Sequence, residues 1–310
     1  MSKHIVFDSR TGKISNTTAV EFIGMQLMRI GARITGKFQF FGFSYIAKLL
    51  RTLFPSKRNV VAHMGENFVF QFPYGDAYWG RLLDNSQKYE AEVQRFLQVA
   101  SKTEYAFIDC GANFGFLSAY VSSLVPGNHP IVAIEADQDN FDILKSNSMA
   151  NENRFEVRHN AIHSKSGEEV QLFGTKHEAF SIVETDKPAR GMVETLAIRD
   201  LQGWYDGTKR NKVIIKLDVE GAEIAAIEGL GDLANTDFAL IYEDHGSDKD
   251  HSVSRYLKDQ LGFKVFGLDI HTTKEIQSLD ELDEIKKNPR YGYDFLATNS
   301  DFWLKEIAKL

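Results

Sequence analysis

Residues 107–120 read FIDCGANFGFLSAY. An apolar run ends in Asp109, passes through Gly111, Asn113 and Gly115, and becomes apolar again. A short continuous apolar run bounded by turn residues fits a strand buried on both faces, and the residues after Gly115 fit a helix. Such a turn needs fewer special residues than this. Glycines let the backbone approach a ligand closely, and the helix that follows offers unpaired amides at its N-terminus.

Outward from this stretch the pattern is of short apolar runs separated by helices, which predicts a parallel α/β sheet. The expected strands are 105–109, 131–135, 155–159, 213–218, 238–243, 263–268 and 293–297. Helices fit at 116–124, 139–150, 223–230 and 252–261, and a further helix at 86–100 precedes the first strand. The interval 161–211 is too long for one helix and holds strand-like VQLF at 170–173, so a small β insertion is expected there. The expected domains are 1–85, a basic amphipathic helical extension with a β-hairpin, and 86–310, the α/β domain.

In open parallel sheets ligands bind beyond the carboxyl ends of the strands, where the strand order reverses. Those ends carry Asp109, Glu135, Asn160, then Asp218 with Glu220, then Glu243, Asp244 and His245. Glu135 suits a carboxylate that accepts both hydroxyls of a ribose, a feature shared by nicotinamide and adenosylmethionine sites. The D-x-G-x-N-x-G spacing differs from the G-x-G-x-x-G of a pyrophosphate turn. Four ionisable residues, Lys216, Asp218, Glu220 and Glu223, lie in IIKLDVEGAE at 214–223. Positions 216, 218 and 220 of a strand share a side, and a lysine in an apolar strand needs a partner such as Asp218 or Glu243. An ion pair that only closes the strand end is the competing reading.

FIDCGANFG, AIEAD at 133–137, NAIHSKSG at 160–167 and IKLDVEGAE with IYED resemble the FkbM family of S-adenosylmethionine-dependent methyltransferases over about 89–297. The resemblance implies a class I methyltransferase (Rossmann-like) fold, with a seven-stranded, mostly parallel sheet whose last strand is antiparallel. It also implies O-methylation of sugars or of polyketide-like hydroxyls. Carried over, Asp109, Gly111, Asn113 and Gly115 would hold the methionine part of S-adenosylmethionine, Glu135 the ribose, Asn160 and Ala161 the adenine edge, and Asp218 would face the sulfonium. Glu220 is the first candidate for the base or for acceptor binding, then His245 and Glu243, with Lys216 beside them. His245 also reads as a polar loop residue. Glu220, Glu243, Asp244 and His245 could instead share a divalent cation that acidifies the hydroxyl. Cys110 and the Asp244-His245 pair depart from the family pattern. Asp218-Val219-Glu220-Gly221 stands where amino-group methyltransferases carry N-P-P-Y or D-P-P-Y. A nicotinamide oxidoreductase and a noncatalytic scaffold with a degenerate methyltransferase fold are the alternative functions.

Composition narrows the partners. The 310 residues are 43% hydrophobic and 25% charged, as in ordinary globular proteins, and the net charge is −7. That charge argues against nucleic acid wrapped over the whole surface. Cys110 is the only cysteine, which excludes an intramolecular disulfide and a cysteine zinc cage. The N-terminus lacks a secretory apolar region, and no uninterrupted apolar run reaches the about 18 residues of a spanning helix. The expectation is a soluble cytoplasmic protein, peripheral to a membrane if the next feature is used. From Phe22 to Gly65 the chain has seven Lys or Arg residues and no acid, on one or two amphipathic helices broken near Gly42 and stopped at Pro55. Residues 22–58 read either as a contact for an anionic membrane or acidic partner, or as a helical extension whose cations are solvated. A hairpin is expected over 60–62 and 68–72, and the aromatic loop PYGDAYWG at 73–80 fits either a lid or core packing.

Overall fold

The computed structural model describes residues 4–86, 88–125, 129–183 and 186–310. It divides into two compact units, one of residues 1–90 with 145–153 and one of 91–144 with 154–310. Gln87, within the expected helix 86–100, lies outside the described residues.

The first unit holds β1 (His4–Asp8), β2 (Lys13–Ser15), α1 (Ala19–Gly36), α2 (Phe43–Leu53), β3 (Asn59–His63) and β4 (Val69–Pro73). The expected hairpin is β3 and β4, but it belongs to a four-stranded sheet ordered β2-β1-β3-β4, with β1 parallel to β3. Alternation buries Ile5, Phe7, Val60, Ala62, Phe70 and Phe72. Thr18 and Glu21 close a reciprocal capping box at the start of α1, at 3.2 and 2.8 Å. Glu21 also pairs with Arg58 at 2.7 Å. The break at Gly42 and the stop before Pro55 match the helix boundaries. The aromatic loop packs inward, with Tyr74 and Trp79 buried and the Arg81 guanidinium 3.8 Å from the Tyr78 ring centroid. Asn147 and Asn151 bond the backbone of β4 through their side-chain amides.

The second unit begins with α3 (Ala91–Ala100), five residues later than the sequence predicts. It continues with β5 (Ala106–Cys110), α4 (Phe116–Leu124), β6 (Ile131–Glu135), α5 (Gln138–Ala150), whose residues from Lys145 on belong to the first unit, and β7 (Glu156–His159). The insertion at 161–211 is β-rich as expected: β8 (Ala161–Ile162), β9 (Glu169–Phe173) and β10 (Ala189–Leu196) form a three-stranded sheet, followed by α6 (Gln202–Thr208). Then come β11 (Lys212–Leu217), α7 (Glu223–Glu228), β12 (Asp237–His245), β13 (Lys264–Leu268), β14 (Thr273–Glu275) and β15 (Gly292–Thr298). The stretch 252–261, expected as one α-helix, is an α-helical turn, Ser252–Arg255, that widens into a π turn, Tyr256–Gln260.

The main sheet has eight strands, ordered β14-β13-β15-β12-β11-β5-β6-β7. All seven expected strands are in it, and β15 runs antiparallel between β12 and β13. The eighth, β14, corrects the seven-strand expectation: it is a short polar segment, Thr-Lys-Glu, added antiparallel to β13 at the sheet edge. Every residue of β5 and β6 is buried, as a strand covered on both faces requires. The order reverses between β5 and β11, so the ends of these neighbours flank the switch point where such sheets bind ligands. No helix among the described residues is long and apolar enough to cross a membrane.

Candidate active site at the strand ends

The turn after β5 is shaped by its left-handed backbone. Gly111, Asn113 and Gly115 have φ of +78°, +52° and +81°. A Cβ at Gly111 would lie 1.7 Å from the Asp218 carbonyl oxygen, so the turns after β5 and β11 touch only because this residue has no side chain. The Asp218 amide donates to the Cys110 carbonyl at 3.0 Å and ties the same two turns together.

Asp109 is buried and accepts from the Ser118 hydroxyl at 2.6 Å. Burial pushes its carboxyl up to about 6, against the Ser118 hydrogen bond and the Lys216 charge, which pull it down. Glu135, buried at the end of β6, accepts from the Asn113 amide at 2.8 Å, the Asp137 amide at 2.9 Å and the Asn140 side chain at 3.3 Å. Burial raises it to about 7, and those hydrogen bonds only partly offset it. Asn113 thus links the two strand ends through its backbone, while its side-chain amide donates to the His177 carbonyl at 2.7 Å. Asn160, at the end of β7, donates its backbone amide to the Glu135 carbonyl and its side chain to that of Glu194. Ala161 is buried in β8.

Beyond β11 the acids meet cations. Lys216, buried and opposite Asp109 in the sheet register, places Nζ 3.5 Å from Asp218 and 3.3 Å from Asp294. Asp218 was an expected partner and Asp294 was not; Glu243, the other expected partner, feels the Lys216 charge, which pulls its carboxyl down, and also stands beside His245. His245 Nε2 stands 3.5 Å from Glu220 and 3.4 Å from Glu243, which joins the three candidate proton-handling residues and removes the loop reading of His245. The Glu220 carboxylate raises His245 above its ordinary value. Burial, reinforced by Asp218, holds Glu243 well above the carboxylate range. Gly292 makes that position possible, since a Cβ there would meet the Glu243 carboxylate at 1.4 Å.

Asp244 does not join them. Strand alternation turns it to the other face, where it is buried against Lys286 at 2.5 Å and the Ser254 hydroxyl at 2.6 Å. This corrects the four-residue cation set. Glu220, Glu243 and His245 remain, with one ligand atom each within 4.8 Å of the others. Glu223 is spent on the Gly221 amide.

A strap from the insertion lies on both turns, and no sequence motif announces it. The His177 carbonyl accepts from Asn113 and Asn140, its ring stacks on Phe114 at 4.8 Å, and the Ser181 hydroxyl donates to the Glu220 carbonyl at 2.5 Å.

The switch-point turn, the acid that ends the next strand and the antiparallel seventh strand define a class I methyltransferase fold. The family model of the methyltransferase FkbM domain matches residues 109–265, half of the chain, and the chain belongs to that family. Solved structures similar to it include methyltransferase FkbM from Methylobacillus flagellatus KT (14% identity, 71% of this chain and 52% of that one, TM-score 0.44). Others are an O-methyltransferase from Bacillus cereus in complex with SAH (12% identity, 68% and 80%, TM-score 0.40) and precorrin-6y C5,15-methyltransferase from Geobacter metallireducens GS-15 (14% identity, 66% and 87%, TM-score 0.37). The chain spans about half the length of the Methylobacillus protein. No curated protein matches it.

Proposed function

We propose that this protein is an S-adenosylmethionine-dependent O-methyltransferase whose acceptor is a hydroxyl of a sugar or glycan. The observation that carries the reading is His245 set between Glu220 and Glu243 at the end of β12, beside the turn built on Gly111. The donor set at that turn fits the cofactor: Asp109 and Glu135 are acids at the ends of adjacent strands, available to an ammonium and to ribose hydroxyls, and Asp218 offers negative charge toward a cation. When bound, the cofactor supplies an electrophilic methyl group.

The chain's own residues would orient the acceptor oxygen and receive its proton. Methyl transfer is an in-line displacement, so positioning dominates and the proton leaves late. His245 accepts it best when neutral, and the Glu220 carboxylate stabilises the imidazolium that forms, in the manner of a base oriented by a carboxylate. Glu220 so acts with His245 as one unit. The carboxylates of Glu220 and Asp218 disfavour a phosphate close to the reacting hydroxyl, which supports a free or remote-linked glycan over one joined to a nucleotide near the acceptor oxygen.

The separation of these three side chains supports one further reading, a divalent cation that they hold and that acidifies the hydroxyl. Turnover that survives a chelator removes it.

Calorimetry tests the class: S-adenosylhomocysteine binds and NAD does not, and the reverse result would overturn the proposal. A panel of glycans and nucleotide-sugars with labelled methyl donor tests the acceptor. Glu220→Gln is expected to keep S-adenosylhomocysteine affinity and to lose about 10²–10⁴ in turnover, the usual worth of a positioned acid or base. Full turnover in that variant removes Glu220 from proton transfer.

A further inference from the structure

α1 carries large apolar side chains on its outer side as well as its inner one. Gly24, Met25, Met28, Gly31, Ala32 and Thr35 are its buried face, apart from the capping Glu21. Val20, Ile23, Leu27, Ile30 and Ile34 face outward at 38% to 57% exposure. A surface helix normally turns large apolar side chains to the core and polar ones outward, whereas the outer row here is apolar too. The spacing of three and four residues continues past the end of α1 through Phe38 and then Phe41, Tyr45, Leu49 and Leu53, the last four 60% to 78% exposed. Exposed large apolar side chains in such number on one segment mark a docking site.

The charges around these rows say what docks. Arg33, Lys37, Lys48, Arg51 and Lys57 are exposed, and no acid occurs between Phe22 and Gly65 in a chain whose net charge is −7. Helices that pair with each other carry complementary charges beside the apolar seam. Two copies of this face would set Arg33 and Lys37, or Lys48 and Arg51, against like charges. An anionic bilayer meets both features at once, because apolar side chains enter the headgroup boundary while long cationic ones reach the phosphates from their stems.

We propose that α1 and α2 seat this protein on an anionic lipid bilayer, lying in the plane of the interface and not crossing it. This is independent of the acceptor and of the methyl-transfer chemistry.

The test is flotation of the full chain with phosphatidylcholine vesicles and with vesicles that also contain phosphatidylglycerol. Binding is expected to the mixed vesicles, to fall with added salt, and to be at least about tenfold weaker on phosphatidylcholine alone. Lys37→Glu with Lys48→Glu and Arg51→Glu is expected to weaken it by about a hundredfold or more. Ile30→Ser with Leu49→Ser is expected to weaken binding at low salt as well. These side chains are exposed, so unchanged thermal midpoints confirm that the variants fold. Failure to float with mixed vesicles overturns the proposal. Light scattering then assigns the face: a dimer that Ile30→Ser dissociates gives it to a second copy, and a monomer leaves the bilayer excluded.

Discussion

The turns after β5 and β11 touch, yet they hold their acids in different ways. On the β5 side neutral donors do it: Asp109 takes the Ser118 hydroxyl at 2.6 Å, and Glu135 takes the amides of Asn113 and Asp137 at 2.8 and 2.9 Å. On the β11 side the partners are Lys216 and His245, each between two carboxylates at 3.3 to 3.5 Å. Neutral donors, two of them backbone amides, do not titrate near neutral pH and hold one arrangement. Looser pairs between ionisable groups can exchange a proton and rearrange. In the proposed reaction the first turn would hold the cofactor and the second would handle the proton.

The most damaging way to probe that contrast is Lys216→Met. Removing the cation leaves Asp218 and Asp294 facing each other in a largely buried place, and loss of one member of such a cluster costs about 3–5 kcal/mol. The denaturation midpoint of the variant reads it. Asp294→Asn in the same background should recover a large part, and a single-variant loss below about 1 kcal/mol would show that the β11 side does not depend on its charges. Gly111→Ala comes next, at about 2–4 kcal/mol from a strained left-handed residue and a clash with the Asp218 carbonyl. It is expected to lower stability and S-adenosylhomocysteine affinity together, since one Cβ pushes apart both turns. A variant as stable as the parent would break the claim that they are in contact.

The contrast was partly legible in the sequence. Strands such as Ile131–Glu135 are continuous apolar runs that end in an acid, and burial on both faces leaves them no other pattern. The polar strand ends then fall on one edge of the sheet, which gathered Asp109, Glu135, Glu220, Glu243 and His245. What stayed hidden depends on pairing between distant segments. β1, β2 and β14 are three to five residues long, too short to carry a period of their own. Asp294 sits inside an apolar strand, and only the antiparallel register that sets it opposite Glu243 brings it to Lys216. Asp244 and His245 are neighbours in sequence, but alternation sends them to opposite faces. The His177 strap has no motif, because its bonds to Asn113 and Asn140 run through a backbone carbonyl, which any residue carries.

The smallest effect tests the β5 side by pH. Glu135 sits at about 7 in the folded chain, raised by burial from an ordinary value near 4.5. Besides its three donors it faces Asp137, which raises it further and is itself paired with Arg190 at 3.2 Å. His159, opposite it in β7, bonds the Ala136 carbonyl. The fold binds this proton more tightly than the unfolded chain does, so the stability it contributes is present below about 4.5 and is lost as pH rises through about 7. Cofactor binding should run the other way. An ionised carboxylate accepts ribose hydroxyls and a protonated one gives up part of that capacity, so S-adenosylhomocysteine should bind more tightly as pH rises through about 7. Glu135→Gln should weaken binding by about 1–3 kcal/mol and flatten both slopes. Calorimetry of parent and variant across this range decides it. Affinity that does not change with pH in the parent, or a variant that binds as well, would mean that Glu135 only braces the Asn113 turn and that the ribose is held elsewhere.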